Sequence, residues 1–224
     1  MATQVRSQTT HIVNNNADTA ADFTDLQAAI DAASDGDVIH VQQSSSSYGD
    51  ILLDKSLTII GRSHSDFNYK SLVGEIVLAD GASNSIIKGL SINEFDDDFS
   101  SQGQGVITDL SIFDCRINTI IIGDLQTYNN VLIQGNIINN NFRIMSQTSN
   151  FLITNNIISS SQVRFEMTDT VLFTNNILEF FNGINIVNQT SDLLNISNSI
   201  FIIESSSDRT ISFNGNIQVF NCLS

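Results

Sequence analysis

The chain has 224 residues, of which 41% are hydrophobic and only 15% are charged, and it contains neither proline nor tryptophan. This hydrophobic fraction is enough for a core, so the composition excludes a wholly disordered chain. The formal net charge of −15 excludes a nucleic acid as the main partner, because there is no basic stripe to displace the counterions of phosphates. The abundance of Asn, Ser, Thr and Ile favours short strands and polar turns over a helical bundle.

The first part of the chain, residues 1–19, is polar and of low complexity. We predict that it forms an N-terminal arm outside the main domain, one that becomes ordered on a partner. It has no apolar core of a signal peptide, and no later run approaches the roughly 18 apolar residues of a membrane span. We therefore expect no membrane span and no signal peptide in this chain. The protein is either used without Sec export or separated from its leader.

Residues 22–37 have the pattern of one amphipathic helix. Thr24 and Gln27 form a Thr-x-x-Gln capping box, and apolar residues follow at helical spacing until Gly36 favours a stop. Short β-rich runs then come at 38–41, 51–53 and 57–60. Because such a helix needs an apolar surface to cover, we assign residues 20–61 to a capping helix and the first coils of a stacked sheet.

Residues 62–224 contain a repeated unit that is clearest in VLIQGNII, FLITNNII and VLFTNNIL, which begin at Val131, Phe151 and Val171. In each unit one position, here called the slot, follows a strand and a tight turn. The slot residues are Leu90, Cys115, Asn136, Asn156, Asn176, Ser199 and Asn216, which are spaced 25, 21, 20, 20, 23 and 17 residues apart. Such periods, within the range of about 20 to 50 residues, indicate a solenoid.

The polar slot residues predict a hydrogen-bonded ladder inside the solenoid. Successive coils of parallel strands lie about 4.8 Å apart, so equivalent side chains can bond to one another and to turn backbone. The predicted ladder residues are Asn136, Asn156, Asn176, Ser199 and Asn216. We therefore predict an all-β, parallel solenoid that forms a single domain over residues 20–224. We also expect both cysteines, Cys115 and Cys222, to be buried free thiols.

These segments resemble the right-handed parallel β-helix, or pectate-lyase-like, superfamily. The segment FTDLQAAIDAASDGDVIHV is similar to the helix and first coil of those proteins, and the NNI-type turns are similar to their asparagine ladder. The resemblance covers residues 20–224 and implies a right-handed parallel β-helix with an N-terminal capping α-helix. It does not select a function, because the architecture serves lyases, hydrolases, epimerases, adhesins and virus fibre parts alike.

The same resemblance implies which residues an enzyme would use. Lyases of this fold combine calcium-binding acids with an Arg or Lys base. Hydrolases combine clustered Asp residues with Gly-His-Gly and Arg-x-Lys, and neither motif occurs in this sequence. Asp114, Arg116 and Lys88 occupy nearby columns on neighbouring coils and are the candidates for a lyase-type site. A surface ion pair is the commoner use of such residues, so the sequence favours a protein without a catalytic site.

One repeat is lengthened by an acidic loop that contains Glu94, Asp96, Asp97 and Asp98. Carboxylate oxygens are the ligands that calcium prefers, although the spacing is not that of an EF-hand. The alternative is a solvated acidic loop. We expect no cofactor other than calcium at this loop.

The final repeat runs to the end of the sequence without a polar cap, and the strand edges of a terminal coil need a cover. This predicts one of three things: a homo-oligomer, for example a trimer; docking onto other proteins of an assembly; or truncation of a longer protein. Among β-helix proteins made without Sec export, the chain is most similar to phage fibres, spikes and head decorations. The leading hypothesis is a non-enzymatic structural or attachment protein on a virion or an extracellular surface, with a glycan as a further candidate partner. The alternatives are a polysaccharide lyase or hydrolase, and a glycan-binding surface module.

Overall fold

The computed structural model describes residues 7–17, 19–62, 70–96, 105–123, 126–145, 148–160, 162–166, 171–180, 184–188, 194–203 and 211–223. Within these ranges the chain forms 22 strands and one helix, α1, at Leu26–Ala32. The strands are β1 (Thr10–Val13), β2 (Val38–Val41), β3 (Ile51–Leu53), β4 (Thr58–Ile60), β5 (Leu72–Leu78), β6 (Ile86–Lys88), β7 (Ser91–Asp96), β8 (Val106–Thr108), β9 (Ser111–Phe113), β10 (Arg116–Ile122), β11 (Thr127–Gln134), β12 (Ile137–Ile144), β13 (Thr148–Thr154), β14 (Ile157–Ser159), β15 (Gln162–Phe165), β16 (Val171–Thr174), β17 (Ile177–Phe180), β18 (Ile184–Asn188), β19 (Leu194–Ser197), β20 (Ile200–Ile203), β21 (Ile211–Asn214) and β22 (Ile217–Phe220).

The strands stack into two 11-stranded sheets. The first has the order β1-β2-β4-β6-β9-β11-β13-β16-β19-β22, with β8 also beside β11, and the second runs from β3 through β5, β7, β10 and β12 to β14, β17 and β20. A branch of the second sheet continues from β12 through β15 and β18 to β21. Apart from β1 and β2, which are consecutive strands and pair with each other, each strand pairs in parallel with a strand one coil away rather than with the next strand in the chain. The prediction of an all-β, parallel β-solenoid is confirmed.

The interior is filled by alternate residues of successive strands, which lie above one another in register. One inward row of the first sheet consists of Ile112, Ile133, Ile153, Phe173 and Ile196, and each of these side chains is almost completely buried. Burying a side chain of this size contributes about 1.5–3 kcal/mol relative to leaving it exposed. The core therefore follows the solenoid axis. The apolar-polar alternation of the sequence indicates which side chains face this core.

The helix begins one residue later than the capping box predicts. The N-cap is Asp25, whose carboxylate accepts a hydrogen bond of 2.7 Å from the backbone N–H of Ala28. The helix ends at Ala32, and the left-handed residue Gly36 (φ +87°) lies in the following turn. The predicted pairing of Thr24 with Gln27 is therefore wrong. The Gln27 side chain is engaged elsewhere.

Gln27 pairs with the outer edge of β3, the strand at the end of the second sheet. Its Oε1 accepts the Leu52 N–H at 2.8 Å, and its Nε2 donates to the Leu52 carbonyl oxygen at 3.2 Å. The carboxamide thus satisfies one donor and one acceptor of an edge strand as a neighbouring strand would. Lys55 Nζ also donates to the carbonyl oxygens of Ile30 and Asp31, at 2.8 Å each. These contacts hold the helix against the first coils.

Part of the predicted N-terminal arm belongs to the solenoid. Within residues 1–19, Thr10–Val13 form β1, which pairs in register with β2. The other edge of β1 is also engaged, since the Ile12 carbonyl oxygen accepts the N–H groups of Asp22 and Phe23. The boundary at residue 19 is therefore corrected for this segment: its four-residue strand is too short for composition to reveal, and pairing with β2 stabilises it.

We predict that Gln27→Ala lowers the free energy of unfolding by about 1–2 kcal/mol, because it leaves the N–H and C=O of Leu52 without their partner. Urea-induced unfolding followed by circular dichroism measures the change. Gln218→Ala, at an exposed position of β22, is the matched control and should change stability little. Equal effects of the two substitutions would contradict the edge-pairing role of Gln27.

Candidate functional site

Each coil turns a corner immediately before the slot. The corner residues have positive φ values between 48° and 71°, and they are Gly89, Asp114, Gly135, Asn155, Asn175, Asn198 and Asn221. Glycine, asparagine and aspartate are the residues that adopt this left-handed conformation most readily. The corner explains why Gly, Asn or Asp comes directly before the slot.

The slot asparagines form a continuous buried column. Asn136 Nδ2 donates to Asn156 Oδ1 at 3.1 Å, and Asn156 Nδ2 donates to Asn176 Oδ1 at 3.0 Å. The column continues to Ser199, whose Oγ accepts the Asn176 backbone N–H at 3.2 Å. Each of these four residues is only 1% exposed. The structure thus brings together four of the five ladder residues that the sequence singles out.

Each amide in the column also satisfies buried backbone groups. The Oδ1 atoms of Asn136, Asn156 and Asn176 accept the backbone N–H of the preceding slot residue, at 2.9 Å in each case. Their Nδ2 atoms donate to carbonyl oxygens of Ile112, Ile133 and Ile153. A buried N–H or C=O without a partner costs about 1–3 kcal/mol. The column therefore supplies the hydrogen bonds that the corner removes from the sheet ladders.

The fifth ladder residue requires a correction. Asn216 is exposed and lies between β21 and β22, where its carbonyl oxygen accepts the Leu194 N–H. Cys222 occupies the slot instead, because it follows the corner residue Asn221 and because Phe220 accepts the Asn198 N–H as in the earlier coils. The motif ISFNGNIQ imitates the repeat, but its first strand pairs with β18 in the second sheet. Local sequence similarity does not reveal that pairing.

The two cysteines occupy slots but differ in burial. Cys115 is buried, and its Sγ donates to the Phe113 carbonyl oxygen at 3.1 Å. Burial raises the pKa of the Cys115 thiol to about 12, because a thiolate would lose its hydration there. Cys222 is partly exposed, and neither thiol forms a disulfide. The expectation of two buried free thiols therefore holds for Cys115 and is wrong for the burial of Cys222, which lies in the last described coil.

Of the three candidate catalytic residues, Lys88 and Asp114 form an ion pair. Lys88 Nζ lies 3.6 Å from Asp114 Oδ2, and about half of each side chain is exposed, 52% and 46% respectively. Arg116 follows at the start of β10, where its backbone N–H donates to the Leu90 carbonyl oxygen at 2.9 Å. An exposed ion pair of this kind contributes about 0–1 kcal/mol. Lys88 and Asp114 thus form a surface pair that links neighbouring coils.

The candidate calcium ligands lie only partly within the described residues. Glu94 and Asp96 are on β7, and Glu94 stands beside Glu75 of β5 in the strand register. Asp97 and Asp98 fall outside the described residues. In the part of the chain that the structure describes, no three His, Cys, Asp or Glu side chains are arranged to hold a metal ion. The calcium hypothesis stays a prediction.

A carboxylate near the N-terminus anchors β1 to the first coils. Asp37 accepts the backbone N–H groups of Thr9 and Ser34 at 2.8 and 2.9 Å, and its Oδ2 lies 3.5 Å from His11 Nε2. Burial raises the pKa of Asp37, but these hydrogen bonds and His11 together lower it below its usual value. The contact depends on the pairing of β1 with β2, which has no local sequence signal.

Two of the surface grooves near the N-terminal coils differ in chemistry. One has a volume of about 430 Å³ and lies beyond the carboxyl ends of β1, β2 and β4, lined by Asn14, Asn16, Thr19, Gln42, Gln43, Ser44, Ser45 and Arg62. The other, of about 470 Å³, lies beside the helix and is lined by Gln27, Asp50, Ile51, Leu52, Glu75 and Val77. Both volumes suit a small ligand. The first groove offers mainly amide and hydroxyl groups, and the second combines two carboxylates with apolar side chains.

Comparison with known proteins does not extend this description. No family model matches the chain, and no curated protein matches it. The resemblance to the pectate-lyase-like superfamily therefore stays a hypothesis, while the parallel solenoid itself stands on the strand pairing. The structure contains no helix, among the residues it describes, that is long and apolar enough to cross a membrane.

We predict that Asn156→Leu lowers the free energy of unfolding by about 1–3 kcal/mol, because the backbone N–H of Asn136 and the carbonyl oxygen of Ile133 lose their buried partners. Chemical unfolding followed by circular dichroism measures the loss. Asn139→Leu, at an exposed position of β12, should have a much smaller effect. An unchanged unfolding midpoint for Asn156→Leu would show that its amide does not support the corner.

We predict that only one thiol of the native protein reacts with a thiol reagent. Cys222 should be labelled, whereas Cys115 should react only after denaturation, because its thiol is buried and has a raised pKa. Mass spectrometry of peptides from native and unfolded protein identifies the labelled residue. Rapid native labelling of Cys115 would contradict the closed core at this coil.

Proposed function

We propose that this chain is a non-enzymatic β-solenoid that serves as a structural or attachment component of a larger particle, such as a phage fibre, spike or head decoration. The observation that carries the proposal is the buried column Asn136–Asn156–Asn176–Ser199, which ties successive coils together through side-chain and backbone hydrogen bonds. A solenoid bonded in this way along its axis is suited to supporting other proteins and presenting a surface to them. This favours a structural role, in which a stable shape is what the protein supplies.

The surface charges agree with such a role. A net charge of −15 keeps a protein soluble and limits non-specific association, as the outside of a particle requires. Lys88 and Asp114 neutralise each other on an exposed corner, which is the common structural use of such a pair. We propose location on a virion or another extracellular surface, with further copies of the chain or other proteins of the assembly as partners.

Two alternative functions have a specific observation in their favour. The 3.6 Å approach of Lys88 to Asp114 places a cation and a carboxylate together on a surface that a polysaccharide can reach, as a lyase or hydrolase would need. The groove lined by amides, hydroxyls and Arg62 offers the donors and acceptors that a glycan-binding module uses. Membership of the pectate-lyase-like superfamily would suit both alternatives as well as the scaffold.

The enzymatic alternative is tested by incubating the full chain with neutral and acidic polysaccharides. Ultraviolet absorbance detects the unsaturated products of a lyase, and a reducing-end assay detects hydrolysis. We expect neither product. Cleavage that is lost in both Lys88→Ala and Asp114→Ala but kept in Lys70→Ala, a change at another exposed lysine, would overturn the non-enzymatic proposal.

The particle assignment is tested separately by immunoelectron microscopy of material from the organism that makes the protein. An antibody against the chain should label discrete particles, and density-gradient fractions should contain the protein together with those particles. Recovery of the protein only in particle-free fractions would contradict a role as a particle component.

A further inference from the structure

The charges of this chain are distributed unevenly along the solenoid. Eighteen of the 24 acidic residues and six of the nine basic residues precede residue 125. The first coils therefore hold most of the negative charge, whereas residues 125–224 carry six acidic and three basic residues. The two halves of the same stack present very different surfaces.

The outer side of the first sheet is free of charged residues in its last five strands. These strands and the corners that follow four of them comprise residues 127–137, 148–157, 171–177, 194–200 and 217–220, none of which is Asp, Glu, Lys, Arg or His. We call this surface the uncharged face. The strands β11, β13, β16, β19 and β22 are consecutive neighbours in the sheet, so the uncharged face is continuous.

Apolar side chains form straight rows on the uncharged face. Leu132, Leu152 and Leu172 lie in register on successive coils, and around the corner an isoleucine row consists of Ile137, Ile157, Ile177 and Ile200. The most exposed members are Leu172 (44%), Ile200 (39%) and Ile157 (36%). Of the ten large hydrophobic residues that are exposed on the described part of the chain, seven follow residue 125.

We propose that the uncharged face binds the same face of a second copy of this chain. The charge distribution favours that partner: two copies repel each other wherever their acidic coils approach, and they avoid this repulsion when their uncharged faces meet. A cationic partner would instead be drawn to the acidic coils. A second copy also has rows with the same spacing of about 4.8 Å, so side chains can interlock along several coils in a two-fold arrangement.

The size of the face sets the strength of this contact. β11 has eight residues, β13 has seven, and β16, β19 and β22 have four each. At about 3.3 Å per residue and about 4.8 Å between strands, their flat area is roughly 430 Å². Stable complexes bury about 800 Å² on each partner. We therefore expect a weak, concentration-dependent dimer. Charge and strand register favour this dimer whether or not the chain belongs to a particle.

Sedimentation velocity of the full chain tests the proposal. We expect a monomer at low micromolar concentration and a growing dimer fraction at high micromolar concentration. Added salt should leave the dimer intact or strengthen it, because salt screens the repulsion between acidic coils. A monomer at every concentration would overturn the proposal. So would an association that salt abolishes, since that result would indicate contacts between charged surfaces.

Substitutions locate the contact. Leu172→Lys and Ile157→Lys should each weaken the dimer at least tenfold, because each puts a desolvated charge into the contact between the two copies. Ser111→Lys is the matched control: Ser111 lies in the same outward row as Leu132 and Leu172 but on β9, before the uncharged face, so its dimer should match the wild type. Dimers of unchanged strength in both face variants would overturn the proposal.

Hydrogen exchange of the wild-type protein gives a test that does not depend on the folding of a variant. Backbone amides of β13 and β16, two strands of the uncharged face, should exchange more slowly at high than at low protein concentration. The exchange rates of the backbone amides of β3 and β5 should not change. Concentration-dependent protection of β3 and β5 instead would assign the contact to the acidic coils and contradict the proposal.

Discussion

The structure depends on how each coil turns from its first sheet into its second without losing buried hydrogen bonds. The turn needs a left-handed residue, and the next residue then carries a backbone N–H that points into the core. The amide of Asn156 solves this problem for the preceding coil, since its oxygen accepts the Asn136 N–H and its nitrogen donates to the carbonyl oxygen of Ile133. The corner and the buried amide therefore require each other.

The residue type at the slot changes along the solenoid axis, and the polar contacts that stabilise the coils change with it. Asparagine occupies three consecutive slots, serine follows at Ser199, and Cys115 and Leu90 precede them. In the earliest coils Gln27 satisfies the edge of β3, and Asp37 anchors β1. The acidic coils thus rely on isolated polar contacts, whereas the later coils rely on a repeated one.

The sequence predicts the repeated features well because each is encoded locally. A strand, two small or polar residues and a following apolar pair mark the slot at Asn136, Asn156 and Asn176. The aligned columns also place Lys88 near Asp114. Features that depend on distant pairing are missed. Asn216 has the local sequence pattern of a slot residue, although β21 pairs with β18. Gln27 has the spacing of a capping-box residue, although its side chain bonds to Leu52. The uncharged face emerges only when strand register places distant segments side by side.

The most direct test of the ladder is native-state hydrogen exchange of the slot amides, measured by NMR on isotope-labelled protein. If the column supports the stack, the backbone N–H groups of Asn136 and Asn156 exchange only through global unfolding, with protection equal to the full free energy of unfolding. Exchange of these two amides through small local openings, well below that free energy, would contradict the account, because the coils would then hold together without the ladder.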